Sequence, residues 1–129
     1  MKPDLMNPMV LAYLGDAVFE VMVRDYLIVE KQIVKNRLLQ AEAIKYVSAI
    51  SHYQFMKEAI KQDWLNEREI DIFKRGKNNK GHKNETKEHH HSTGFEALIG
   101  TLYLEKNEIR LQEIFILFKE FVETKMKQK

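Results

Sequence analysis

At 129 residues, with 44% apolar and 31% charged side chains, the chain is sized for one globular domain with a modest core. No cysteine is present, which excludes disulfides and thiolate metal centres. Charges interrupt every apolar run before roughly 18 residues and no secretory leader is legible, so no membrane contact and a cytoplasmic location are expected.

With only two prolines and five glycines, the chain reads as all-α. Asn7 and Pro8 form a start signal, since Asn caps and Pro tolerates the first turn. The helix they open runs from Met9 to about Val29, with Leu14, Val18, Val21 and Met22 on one flank and Tyr13, Val23 and Leu27 elsewhere. A helix apolar on nearly every side is buried on nearly every side. In so small a domain that predicts packing on a second copy as well as on its own core, hence a homodimer. A second helix is expected from Asn36 to Ser51, with Leu38, Ala41, Ile44, Tyr46 and Val47 as its apolar positions. His52 to Gln62 should continue it after a bend. Asn66 followed by Glu69 is a capping-box pattern, predicting a helix to about Arg75 that buries Ile70, Ile72 and Phe73.

Residues 76–91 are polar, contain two glycines and lack apolar periodicity, which predicts a mobile basic loop within the domain. A last pair of helices is expected over Thr93 to about Lys106 and Glu108 to about Lys125. The second repeats Leu111, Ile114, Phe115, Phe118 and Val122 at helical spacing. No internal repeat or boundary divides residues 1–129, so a single domain is expected.

Two carboxylates interrupt apolar helical stretches: Asp16 within Leu14-Gly15-Asp16-Ala17-Val18, and Glu96 within Phe95-Glu96-Ala97-Leu98-Ile99-Gly100. A desolvated charge costs several kcal/mol unless a partner such as a metal compensates it. For Asp16 the competing reading is a buried carboxylate satisfied by a backbone amide or an arginine. Gly15 beside it, costing on the order of 1 kcal/mol in a helix, implies close helix packing or room for a ligand. For Glu96 the competing reading is the last member of a Thr93-x-x-Glu96 capping box. Spacing alone leaves both pairs of readings open.

Between them lie Lys74, Arg75, Lys77, Lys80, Lys83 and Lys87, six cations in 14 residues, with Asn78, Asn79, Asn84 and Thr86 as neutral hydrogen-bonding groups. Such a segment suits phosphate contacts, although charge runs are also common on solvated surface. Without aromatic residues it favours the backbone of a duplex over stacked single-stranded bases. His89-His90-His91 lacks the spacing of a structural zinc site and reads as solvated, with His91 placed to approach a phosphate.

Together, Leu14-Gly15-Asp16-Ala17-Val18 and Phe95-Glu96-Ala97-Leu98-Ile99-Gly100 resemble the two hallmark motifs of ribonuclease III catalytic domains, in the right order and at a fitting separation. Ala12-Tyr13 before the first motif, Lys74 to Asn78, and His91-Ser92-Thr93 before the second narrow the resemblance to the Mini-ribonuclease III family, over nearly the whole chain. That resemblance implies a dimeric, Mg²⁺-dependent endoribonuclease specific for double-stranded RNA, with no separate RNA-binding domain expected and Mn²⁺ as a substitute ion. It implies maturation of the paired ends of 23S ribosomal RNA precursor, with 5′-phosphate and 3′-hydroxyl products and a large-subunit ribosomal protein as a candidate partner on the substrate. Asp16 and Glu96 match the metal-binding, catalytic carboxylates. Lys74, Arg75, Lys77, Asn78, Lys80, Lys83, Lys87 and His91 become the candidate RNA contacts. Ordinary ribonuclease III has further acidic residues where this chain has Met9, Ala12 and Thr93, which implies more waters on the ion and makes a single metal easier to support than two. The alternative is a non-catalytic RNA-binding or ribosome-associated module of the same fold; retention of both carboxylates favours the enzyme.

Overall fold

The computed structural model describes residues 2–79 and 85–127, and no strand occurs among them. A short 3₁₀ turn at Pro3–Leu5 leads into α1 (Pro8–Asp25), whose first turn is capped as expected: the Asn7 side chain accepts from the amide of Met9 at 2.8 Å. The axis continues through a π-helical turn at Tyr26–Glu30, so the apolar run to Val29 is helical with a change of winding near its end. Four more of the helices are α2 (Asn36–Val47), α3 (Ala49–Lys61), α4 (Glu67–Lys77) and α5 (Lys87–Leu104), and α6 (Glu108–Lys127) completes the bundle.

The α5 helix is the spine. Ser92, Gly94, Phe95 and every residue from Ala97 to Leu102 are buried, because α1, α3 and α4 all pack on it and α6 lies against it. Phe19, Phe55, Phe95 and Phe118 meet edge-on or tilted in the core, with centroids 5.1 Å apart for Phe19–Phe95 and 4.8 Å for Phe55–Phe118. His52 sits inside this cluster, 1% exposed, with Nδ1 and the Ser92 hydroxyl 2.7 Å apart. Burial pushes its imidazole down to about 3, so it is a neutral core residue at any physiological pH.

The expected capping box of α4 is present in both directions. The Asn66 side chain accepts from the Glu69 amide at 2.8 Å, and the Glu69 carboxylate accepts from the Asn66 amide at 2.9 Å. Glu69 also takes both Nε and Nη2 of Arg110, at 2.7 and 2.8 Å, which fastens α4 to α6. Leu111, Ile114, Phe115, Phe118 and Val122 are buried as their spacing predicts.

Three expectations give way. The break expected after Ser51 falls at Ser48, whose extended backbone ends α2 and whose hydroxyl caps α3 through the Ser51 amide. On α2 the apolar residues Leu38 and Ile44 are exposed and Tyr46 is the buried one, its hydroxyl bonded to Glu123 at 3.0 Å. The interhelical basic segment is shorter than residues 76–91: Gly76 and Lys77 close α4, and Thr86 caps α5 by accepting from the His89 amide. The polar composition of Lys87 to His91 hid a first helical turn held by that cap.

Candidate active site

The two carboxylates meet because α1 and α5 cross with their backbones in contact. A Cβ at Gly15 would stand 1.7 Å from the carbonyl oxygen of Glu96, and one at Gly100 would stand 2.1 Å from that of Leu11. Only hydrogen fits at both positions. A similar approach of Gly76 to Gly94 seats α4 on the other side of α5. The glycine beside Asp16 is therefore explained by close helix packing.

At this crossing the Asp16 side chain lies close enough to that of Glu96 to act on its charge. Glu96 is half-buried and Asp16 is exposed, so the expectation that both are charges inside an apolar environment holds only in part. Burial first, and then the neighbouring Asp16 carboxylate, push the Glu96 carboxyl up to about 9. Near neutral pH Glu96 therefore keeps its proton, and among the described residues no lysine or arginine forms an ion pair with it or with Asp16.

The capping-box reading of Glu96 is excluded. Thr93 lies in the second turn of α5, and its hydroxyl donates to the carbonyl of His89 at 3.0 Å, while the cap is Thr86. Glu96 is left with Asp16 as its partner. Two hard oxygen donors brought together, one of them unable to ionise freely, suit a divalent cation whose remaining positions are filled by water. Among the described residues no group of three or more His, Asp or Glu gathers as a closed metal site.

The basic residues divide between two sides of α4. Lys74, Arg75 and Asn78 border a shallow depression with Pro8 and Asn79, and an Arg75 Nη2 donates to the Met6 carbonyl at 3.3 Å. Lys77 instead lies with its ammonium 5.8 Å from the Phe73 ring centroid. Lys87 and His91 project from α5 toward α3, where they meet Tyr53. Lys80 and Lys83 lie outside the described residues. The sequence did not single out Tyr53 and Lys57, because residues 30 or more positions upstream carry no local signal of packing beside Lys87 and His91.

Residues 9–107 match the family described as the Ribonuclease III domain. The chain is 43% identical to Mini-ribonuclease 3 of Staphylococcus aureus, covering 85% of this chain and 84% of that one. It is also 43% identical to Mini-ribonuclease 3 of Clostridium tetani, over 90% and 80% of the two chains. The crystal structure of a Fusobacterium nucleatum protein superposes with a TM-score of 0.77 at 29% identity, covering 97% of this chain and 99% of that one. Both hallmark motifs fall within the matched segment, and the fold that joins them is shared with a solved structure: this chain belongs to the ribonuclease III family, alongside the Mini-ribonuclease 3 proteins.

Proposed function

We propose that this protein is an endoribonuclease that cleaves double-stranded RNA during ribosomal RNA processing, with Asp16 and Glu96 as the residues that hold a catalytic divalent cation. Membership of the ribonuclease III family, whose enzymes are metal-dependent and act on double-stranded RNA, supports the activity. The observation that carries the site is the convergence of Asp16 and Glu96 at the Gly15–Gly100 crossing, with the Glu96 carboxyl pushed up to about 9 and no side-chain cation beside it. Mg²⁺ is the ion we assign, with Mn²⁺ able to replace it, and 23S ribosomal RNA precursor is the substrate we assign.

When bound, the ion supplies an acidified water and neutralises charge that grows on the phosphoryl oxygens. The protein's part is to deliver two carboxylates at fixed separation. Glu96 is fixed by the buried spine of α5 and Asp16 by the backbone contact of α1 with it. To bind the ion, Glu96 must surrender its proton, so occupancy rises with pH across the neutral range. Attack of water on phosphorus with loss of the 3′ oxygen leaves a 5′-phosphate and a 3′-hydroxyl. Lys74, Arg75 and Asn78, on the depression beside α1, are the substrate contacts best supported by position.

A homodimer is part of this reading. Val10, Tyr13, Ala17 and Val21 form one exposed stripe along α1, with Tyr13 85% and Val21 67% exposed. Leu14, Val18 and Tyr103 flank a groove beside it. A second copy related by two-fold symmetry would bury this stripe and set two cleavage centres along one duplex. No helix among the described residues is long and apolar enough to cross a membrane, and action in the cytoplasm on nascent ribosomal RNA, with a large-subunit ribosomal protein presenting it, completes the proposal.

The test is cleavage of an end-labelled RNA duplex in Mg²⁺ by the wild type, Asp16→Asn and Glu96→Gln. Both variants should still bind the duplex and lose at least about 100-fold in rate, the scale of removing a principal electrostatic contributor. A wild type that binds duplex RNA without cutting it in either Mg²⁺ or Mn²⁺ would establish the non-catalytic module instead.

A further inference from the structure

Away from the carboxylates, α3 and α5 bring cations around one tyrosine, and α4 adds a lysine on the far side of His91. Tyr53 of α3 is half-buried, and the ammonium groups of Lys57 and Lys87 lie 5.2 and 5.4 Å from its ring centroid. The His91 ring stands edge-on to Tyr53 with centroids 4.6 Å apart, and its Nδ1 donates to the Lys87 carbonyl at 2.7 Å. Phe73 of α4 backs His91 at 5.5 Å and carries Lys77 over its own ring. Among the described residues none of Lys57, Lys77 or Lys87 is paired with a carboxylate within 4 Å.

Like charges drawn together, with Glu88 alone offsetting Lys87 and His91 from beyond ion-pair distance, favour the arrival of an anion. The strain is visible in the neighbours: burial, and then the charges of Lys77 and Lys87, hold His91 below its usual range, while Lys87 and Lys57 draw Tyr53 down. Aromatic rings fix where the lysines stand, so the site is partly organised before any ligand arrives.

We propose that Tyr53, Lys57, Lys77, Lys87 and His91 form a second RNA contact that receives a backbone phosphate outside the helical turn being cut. It rests on the double-stranded RNA reading above. Its place on α5 separates it from the cleavage centre. Lys87 precedes Glu96 by nine residues, which puts it about 13 Å back along the axis and on nearly the opposite side of the helix. Glu96 faces α1, whereas Lys87 and His91 face α3 and α4. A phosphate bound there therefore belongs to RNA that has passed the end of α5, beyond the nucleotide held at Asp16.

The experiment measures fluorescence anisotropy of labelled RNA duplexes in EDTA, between about 50 and 200 mM salt, for the wild type and the Lys57→Gln/Lys87→Gln double variant. On a duplex several turns long, the log–log salt slope should fall by about one for each lysine lost from a phosphate. On a duplex of a single turn it should be unchanged. Cleavage of the long duplex should show a raised KM with kcat within about twofold, as expected when uniform binding is removed. Tyr53→Phe, which keeps the ring and removes the hydroxyl, should give a smaller change in the same direction.

Unchanged slopes on both lengths, with circular dichroism and melting as in the wild type, overturn the proposal. Equal losses on both lengths overturn the remote placement. Stabilisation of the wild type by inorganic phosphate over chloride at matched ionic strength, lost in the double variant while the RNA slopes stay equal, assigns the site to a free anion and also overturns it. A wild type with no affinity for duplex RNA is a different failure, that of the functional reading itself.

Discussion

Glu96 is the residue in which activity and stability oppose each other. Its folded-state value of about 9 lies above the ordinary carboxyl value of 4.5. Below 4.5 both folded and unfolded chains are protonated there, and the full stability is present. As pH rises toward 9 the unfolded chain releases a proton that the folded chain retains, so stability falls across that interval. Without divalent ions the melting temperature of the wild type should therefore decline from pH 5 to pH 9. Glu96→Gln should flatten the decline and be more stable near neutral pH by on the order of 2 kcal/mol, after allowance for solvent screening. Mg²⁺ should raise the melting temperature of the wild type at pH 8 and leave Glu96→Gln nearly unmoved. Differential scanning calorimetry with and without Mg²⁺ checks all three; a steeper decline in the variant would contradict the assignment. Glu69 has the opposite sign. Burial would raise it, but hydrogen bonds from Arg110 and the Asn66 amide override burial and hold it below its usual range. Its contribution is present above the unfolded carboxyl value and is lost as pH falls through its folded one. Glu69→Gln should cost about 2–3 kcal/mol at neutral pH by leaving the largely buried Arg110 without its counter-charge, measurable by urea denaturation.

At the scale of elements, the α1–α5 crossing is the decisive contact. Gly15→Ala would place a methyl group 1.7 Å from the backbone of Glu96, where no side-chain rotation relieves it. The helices must separate, at about 3 kcal/mol or more, and the two carboxylates with them. The expected result is a folded protein of lowered melting temperature that has lost cleavage while keeping its affinity for duplex RNA. Retention of full activity would show that the carboxylates tolerate a wider spacing. The same crossing explains how much of the site was legible beforehand. Glycine beside an acid inside an apolar helix signals a close approach, and two such motifs pointed to two helices that meet. Which partner each carboxylate takes was not legible. Thr93 and Glu96 have capping-box spacing, and only the helical turn begun at Thr86 removes that reading.

For the whole molecule, the exposed stripe of α1 predicts association. Val21→Glu places a charge on the apolar stripe while touching nothing in the core, since Val21 is 67% exposed. Sedimentation should show the wild type as a dimer and Val21→Glu shifted to monomer with its circular dichroism intact; a monomeric wild type at micromolar concentration would rule out the dimer.

The amino-acid sequence by itself determined the helical class, the Asn7 and Asn66 caps, the buried face of α6 and the pair of motifs that mark the family. These are local: a periodicity of 3.6 residues or a cap three residues long is complete within its own segment. It also brought forward Asp16 and Glu96, through the cost of a charge in an apolar helix. Only the tertiary structure decided that Asp16 stays exposed while Glu96 is half-buried, that the basic residues split between two sides of α4, and that Tyr53 and Lys57 join Lys87 and His91. Those outcomes depend on where one helix lies against another across 30 to 80 residues of chain, and for α1 and α4 on α5 that is set by the close approaches at Gly15, Gly76, Gly94 and Gly100.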